Sequence, residues 1–297
     1  MNVLITGCNS GFGRELVTQF LQKGWTVIAT LRHLEERKSS FESHMKQFPG
    51  QLMLIELDVT SDSQRQSLVG TLKEKFPSGI DCLINNAGLG YFGALTDFSQ
   101  EQIRQQMEIN FFSLAFLTRE MIPFLLSRKG RIINISSVLG FSGMPFASLY
   151  NASKYAVEGL SEGLYFELKD KGVQVALVEP GGFRTNFSSN TCWAENHKDT
   201  SSLFYQESKN FKGLRQYLTS RPNPPSILIV VNKIVELATR KSIPLRTQVG
   251  KDSVAGYLMK KILPEKVYLC LYGKVLRKMM KKGEHLVKVG YATTPPL

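Results

Sequence analysis

Thr6-Gly7-Cys8-Asn9-Ser10-Gly11-Phe12-Gly13 stands between the apolar run Asn2-Val3-Leu4-Ile5 and an amphipathic stretch over residues 14–23. A glycine-rich turn that leaves a strand and opens a helix is where an α/β fold receives a dinucleotide. Gly7 permits the tight turn and Gly11 brings the backbone close to a pyrophosphate. Gly13 allows close packing of the helix, whose N-terminus attracts the anion. Asn9, Ser10 and Phe12 complete the loop. Alone, the GxxxGxG spacing also suits a plain strand-to-helix turn, so the surrounding pattern decides.

That pattern repeats the opening unit. Residues 25–31 (WTVIATL), 52–57 (LMLIEL), 81–85 (DCLIN), 131–136 (RIINIS) and 173–179 (VQVALVE) are near-continuous apolar runs, as in strands covered on both faces, and residues 245–249 are read as a last strand that closes the sheet. Amphipathic stretches such as 101–127, 149–169 and 226–240 lie between them. The alternation predicts an α/β, Rossmann-type doubly wound fold, a mostly parallel seven-stranded sheet flanked by helices. A chain of 297 residues with 42% hydrophobic content can bury that core as one domain, here residues 1–250. The rhythm breaks over 181–225, where Phe183, Phe187, Trp193, Phe204, Tyr205, Phe211 and Tyr217 follow no clean period, and a substrate-binding loop is expected there. Residues 251–297 read as a basic helical C-terminal extension.

The formal charge is +12, and residues 251–297, with 10 Lys and Arg against 3 Asp and Glu, carry +7 of it. The excess belongs to the tail and comes without a docking motif, which argues against a nucleic-acid partner. Cys8, Cys82, Cys192 and Cys270 are scattered, with no CxxC pair and no histidine at metal spacing, so neither a metal site nor a disulfide framework is expected. No run of about 18 uninterrupted apolar residues occurs, and Met1 leads directly into a strand without a basic leader. A soluble, cytoplasmic protein is expected.

Tyr150-Asn151-Ala152-Ser153-Lys154 puts Tyr150 and Lys154 on one face of a helix. A phenol with a pKa of about 10 is a poor base near neutrality. A nearby ammonium favours the phenolate and lowers that value, so the pair can exchange a proton with a substrate oxygen. As a pattern it is common on solvated helices, and its context carries the weight. The chain also holds Leu57-Asp58-Val59-Thr60, Asn85-Asn86-Ala87-Gly88, Ser137 at 13 residues before Tyr150, and Pro180-Gly181. With TGxxxGxG and YxxxK, this ordered set resembles the classical short-chain dehydrogenase/reductase (SDR) family over roughly residues 1–250.

The resemblance implies an oxidoreductase that interconverts a carbonyl and an alcohol, with Tyr150 and Lys154 moving the proton. Ser137 would hold the substrate oxygen as charge develops, with Ser136 as the competing serine. Asn110, in Glu108-Ile109-Asn110-Phe111, would keep a water connected to Lys154; its other reading is a satisfied polar group of the core. For the cofactor the resemblance implies contacts from the glycine loop, from Asp58 and Val59 near the adenine, and from Asn85, Ala87 and Gly88. Tyr150, Lys154, Pro180, Gly181, Phe183 and Thr185 would complete them.

A carboxylate after the second strand would bind the ribose hydroxyls of NAD(H) and repel a 2′-phosphate. Thr30-Leu31-Arg32-His33 has Leu31 at that place and Arg32 next to it, suited to pair with a phosphate, so NADP(H) is expected over NAD(H). The other reading of Arg32 is an ordinary surface arginine. Thr30-Leu31-Arg32, the run GGFRT over 181–185 and the long C-terminus are similar to the steroid and retinol dehydrogenase branch. With the aromatic residues of 183–217, this implies a small lipophilic carbonyl or alcohol substrate: a retinoid, a steroid, or a fatty aldehyde or ketone. Reduction of 3-oxo groups on an acyl carrier and a non-catalytic NADP(H)-sensing protein are the alternatives. The latter would be marked by a missing Tyr150 or Lys154, and both are present. Family habit implies a homo-oligomer through the helices at 101–127 and 149–169. In the extension, Tyr268, Leu271, Tyr272, Val275, Leu276 and Met279 form an apolar stripe among lysines. Such a helix can make peripheral contact with an anionic membrane, cap the pocket or form a subunit interface.

Overall fold

The computed structural model describes residues 1–185, 187, 191–220 and 222–289, so the end of the extension, 290–297, lies outside the described residues. Its strands are β1 (Asn2–Ile5), β2 (Thr26–Leu31), β3 (Leu52–Glu56), β4 (Cys82–Asn85), β5 (Tyr91–Phe92), β6 (Arg131–Ile135), β7 (Gln174–Pro180), β8 (Cys192–Trp193) and β9 (Arg246–Val249). Seven of them form one sheet in the order β3-β2-β1-β4-β6-β7-β9, and every pairing in it is parallel. The expected Rossmann-type sheet is thus present, fully parallel. The chain reverses its direction of winding between β1 and β4, and the carboxyl ends of the strands there open the crevice in which such sheets bind ligands.

The helices are α1 (Gly11–Gln22), α2 (Leu34–Arg37), α3 (Glu42–Gln47), α4 (Asp62–Lys75), α5 (Gln100–Met107), α6 (Ser113–Leu126), α7 (Ser148–Lys169), α8 (Tyr205–Ser220), α9 (Leu228–Thr239), α10 (Lys251–Ile262) and α11 (Glu265–Lys288). Alternate residues of each strand serve the two faces. Val3 and Ile5 pack with Leu16 and Phe20 of α1 and Ile234 of α9. Leu4 between them packs with Leu72 of α4, Met121 of α6 and Leu168 of α7. Burial on both faces is the reason the strands read as unbroken apolar runs.

Two segments differ from expectation. The stretch 101–127 is not one regular helix: a π-helical turn, Glu108–Phe112, separates α5 from α6. By length and composition the whole stretch Gln100–Leu126 would suffice to cross a membrane, but Leu114, Leu117, Met121 and Leu125 are buried within the fold. The span 181–225, expected to be irregular, contains the 16-residue helix α8 and the strand β8, which pairs with β5. The period of α8 is hidden because its buried face includes Ser208, Asn210 and Gly213 beside Phe211 and Leu214. Those small and polar positions admit α11. Gly283 of α11 lies so close to Asn210 that a Cβ there would run into the Asn210 carbonyl oxygen. The extension therefore packs on the helix that covers the cleft, as in the capping arrangement, while Val267, Leu271 and Val275 stay exposed on its outer face.

Candidate active site

Thr6, just past β1, joins the glycine-rich loop to the turn after β4. Its Oγ1 accepts hydrogen bonds from the backbone N–H groups of Asn86 and Ala87, both at 3.0 Å, and Asn86 Nδ2 donates back to the carbonyls of Thr6 (2.9 Å) and Gly7 (3.1 Å). Gly7 adopts φ 70°, and a Cβ on it would stand 2.9 Å from Ala87 Cα. A Cβ on Gly13 would come 2.6 Å from Asn86 Nδ2. Any side chain at either position would part the two segments. At the N-terminus of α1 the Ser10 side chain forms no cap, leaving first-turn N–H groups to a ligand.

These segments border a cleft of about 1080 Å³. Of the expected cofactor residues, Gly7, Asn9, Ser10, Gly11, Phe12, Arg32, Asp58, Val59, Ala87, Gly88, Tyr150, Lys154, Pro180, Gly181, Phe183 and Thr185 line it. Gly13 sits beneath the loop as a packing residue. Asn85 is turned away: its Nδ2 donates to Asn134 Oδ1 (2.8 Å) and Thr118 Oγ1 (3.0 Å) inside the fold, and its neighbour Asn86 faces the cleft instead. Arg32 is exposed at the cleft edge, whereas Leu31 is buried in the core. Asn9 Oδ1 is a buried acceptor with no partner among the described residues. An acceptor and helix N–H groups without partners among the described residues, with a cation at the rim, together fit a nicotinamide dinucleotide.

The other end of the cleft is built on α7. Tyr150, 7% exposed, is packed between Phe92 and Phe187, with ring centres 5.7 and 5.5 Å away. Lys154 follows one turn later; its Nζ lies 5.7 Å from the Tyr150 ring centre and donates a hydrogen bond to the Ile135 carbonyl at 2.8 Å. Burial pushes Tyr150 up to about 12, against the opposing pull of the Ser137 hydroxyl and Arg215, and burial pulls Lys154 down to about 8, with Glu158 opposing. At both residues desolvation outweighs these opposing interactions.

The two serines part company here. Ser137 lines the cleft beside Tyr150, and its Oγ accepts a hydrogen bond from the Leu139 N–H at 3.1 Å. Ser136, 3% exposed, also reaches the cleft wall, but a Cβ on Gly140 would come 2.5 Å from its Oγ and 3.1 Å from Glu158 Oε1. Ser136 Oγ thus lies on the Gly140 and Glu158 side, and geometry favours Ser137. Asn110, on the π-turn, is fully engaged and does not line the cleft. Its Oδ1 accepts from the Leu89 N–H (2.8 Å), and its Nδ2 donates to the Leu89 carbonyl (2.8 Å) and to Ser153 Oγ (3.0 Å). Gly88 touches both neighbours: a Cβ on it would stand 3.4 Å from Asn110 Oδ1 and 3.9 Å from Lys154 Nζ. Asn110 thus shapes the turn that borders the lysine.

Phe187 of the expected loop and Met279 of the apolar stripe on α11 line the cleft, and so does Arg215 of α8, which carries no sequence signal. Asp252, in the first turn of α10, accepts a hydrogen bond from the Gly182 N–H at 2.7 Å and fills the space a side chain on Gly181 would need. The start of the extension thereby fixes the turn after Pro180.

Comparison with known proteins agrees with this geometry. Residues 1–195 match the family described as short chain dehydrogenase. A 3-ketodihydrosphingosine reductase of Bacteroides thetaiotaomicron is 34% identical over 84% of this chain and 87% of its own. Human retinol dehydrogenase 8 is 33% identical over 83% and 80%. The crystal structure of a short-chain dehydrogenase from Streptomyces avermitilis superposes with a TM-score of 0.75 at 30% identity, covering 93% of this chain and 98% of that one. Two further solved structures, each 26% identical, hold NADP. With its parallel sheet, its glycine loop and its tyrosine and lysine on one cleft, the chain belongs to the short-chain dehydrogenase/reductase family of oxidoreductases.

Proposed function

We propose that the protein is an NADP(H)-dependent reductase of a lipophilic carbonyl compound. The observation that carries this reading is the meeting of Tyr150, Ser137 and Lys154 on a cleft that runs from Arg32 to an aromatic wall. A reduced nicotinamide, when bound, supplies the hydride. Tyr150 donates its Oη proton to the substrate oxygen, where negative charge develops as the carbonyl becomes an alkoxide. A phenol held neutral by burial suits that donor role. Ser137 Oγ offers a hydrogen bond to the same oxygen. Lys154, held by the Ile135 carbonyl, keeps a proton source next to the phenol for its reprotonation. Asn110 positions the Leu89 backbone that borders this lysine.

Phe92, Phe187, Leu218 and Met279 around Tyr150 support an apolar substrate. Arg32 at the rim, with no ion pair among the described residues, supports the phosphorylated cofactor. Exposed Phe112, Tyr155 and Phe166 lie on or beside the helices through which a second copy would dock. The test is a panel of retinoid, steroid and fatty carbonyl compounds followed by NADPH and NADH absorbance. NADPH-linked turnover of an apolar ketone or aldehyde is expected, and turnover confined to NADH or to small polar carbonyls would refute the reading.

A further inference from the structure

One cation in the cleft is used by none of the chemistry above. Arg215 projects from α8 with its guanidinium carbon 3.7 Å from the Phe92 ring centre, and it donates a hydrogen bond to Thr191 Oγ1 at 2.9 Å. The Phe92 ring is fully buried and stands 5.7 Å from the Tyr150 ring. The sum of those two distances bounds the separation of Arg215 from Tyr150, so only a few carbon atoms of a substrate fit between them. Arg65, more deeply withdrawn from water, faces Asp62 and Glu120, and Arg246 faces Glu158 and Glu162, whereas Arg14 and Arg131 are held by hydroxyl and carbonyl oxygens. Among the described residues no carboxylate pairs with Arg215. Burial lowers its pKa to about 10, and it remains a cation at neutral pH.

A guanidinium has five N–H donors in a fixed fork, and the Thr191 bond engages one of them. Stacking on Phe92 compensates part of the desolvation of the charge. An oxyanion in the cleft would supply the counter-charge and take up the fork. A carboxylate matches one guanidinium in charge and in geometry, whereas a phosphate dianion would leave charge uncompensated against apolar walls. We propose that Arg215 is a carboxylate subsite, and that the substrate is an amphipathic oxo acid whose carboxylate lies a few carbons from the carbonyl facing Tyr150. The proposal deepens the reductase reading and, for its kinetic arm, rests on it.

The test compares a γ-oxo fatty acid with its methyl ester as NADPH-linked substrates of the full chain and of Arg215→Gln and Arg215→Lys. In the native protein kcat/KM for the acid should exceed that for the ester by about tenfold or more, mainly through KM, as expected when a charged hydrogen-bond partner is lost. The acid-to-ester ratio should fall to about one in Arg215→Gln and recover in part in Arg215→Lys, which keeps the charge and loses the fork. A native ratio at or below one, or a ratio that survives in Arg215→Gln, overturns the proposal. If Arg215→Gln does not fold, the Arg215→Lys ratio decides: no change from native overturns the proposal, and an intermediate value supports it. A binding arm separates this failure from failure of the reductase reading. Decanoate should raise the melting temperature of the NADPH-loaded native chain and leave that of Arg215→Gln unmoved, whether or not any ketone is turned over. Equal shifts in both, or none in either, would overturn the subsite alone.

Discussion

Replacing Tyr150 by phenylalanine removes one oxygen atom and leaves the ring between Phe92 and Phe187. Fold stability should hardly change. The apolar ring area is kept, and the net worth of a hydroxyl's hydrogen bond is about 1 kcal/mol. For a chain of this size that is a shift of roughly 2–4 °C in Tm. Catalysis should respond very differently, because the hydroxyl is the proposed proton donor. Loss of a positioned general acid lowers a rate by roughly 10²–10⁴-fold, or about 3–5 kcal/mol in the barrier. NADPH affinity should stay within about threefold of native, since the ring lies at the substrate end of the cleft, away from the loop that fits a pyrophosphate. The assays are NADPH oxidation with the best substrate of the panel, NADPH fluorescence titration, and thermal melting, on one preparation. A Tyr150→Phe protein that melts normally, binds NADPH and keeps more than about a tenth of the native rate would show that the proton comes from elsewhere. A variant that fails to bind NADPH would show that the hydroxyl is part of the cofactor site.

Arg32→Ser should raise the KM for NADPH by about tenfold, the lower end for a charge-assisted bond because Arg32 is exposed, and leave NADH kinetics nearly unchanged; an equal effect on both cofactors would return Arg32 to an ordinary surface role. Glu158 and Glu179 form a buried carboxyl pair beside Arg246, and desolvation together with the charge of Glu158 raises the Glu179 pKa above the carboxylate range. A carboxyl whose folded pKa is raised adds stability that is complete below its unfolded value of about 4.3 and is lost as pH rises through the folded value. Glu179→Gln, which stays neutral, should therefore gain in Tm relative to native between pH 5.5 and pH 8.5, and a difference independent of pH would refute the raised Glu179 pKa. Phe166, 66% exposed on α7, should hold an interface between copies. Light scattering should find native protein at a multiple of 33.4 kDa and Phe166→Glu at that mass, and a native monomer at about 50 µM would remove the interface.

The parts of the molecule that were legible beforehand are those in which local sequence and local structure obey the same rule. Strands buried on both faces must be apolar throughout, so β1, β2, β4, β6 and β7 announce themselves. Gly7 and Gly13 are dictated by backbone approaching backbone, and that demand is written in single residues. Tyr150 and Lys154 are joined by helical spacing. What stayed hidden depends on contacts between distant segments. Helix α8 has a mixed face because its partner α11 arrives some seventy residues later, and no period within α8 can encode a neighbour's glycine at 283. Asn85 and Asn86 are adjacent and chemically identical, and only the strand's alternation decides which one enters the sheet and which one faces the cleft. Burial at Tyr150 is hidden for a related reason: sequence records the neighbouring charge, while desolvation is a property of the packed site. Arg215 is the extreme case. Its proximity to Tyr150 is created by Phe92 of β5 and by helix α8, so the residue that gives the cleft its charge selectivity, if the oxo-acid test succeeds, belongs to no motif at all. Within this fold the hydride chemistry is specified locally and the choice of substrate is specified by packing, which is why the first was readable from the chain and the second had to wait for its shape.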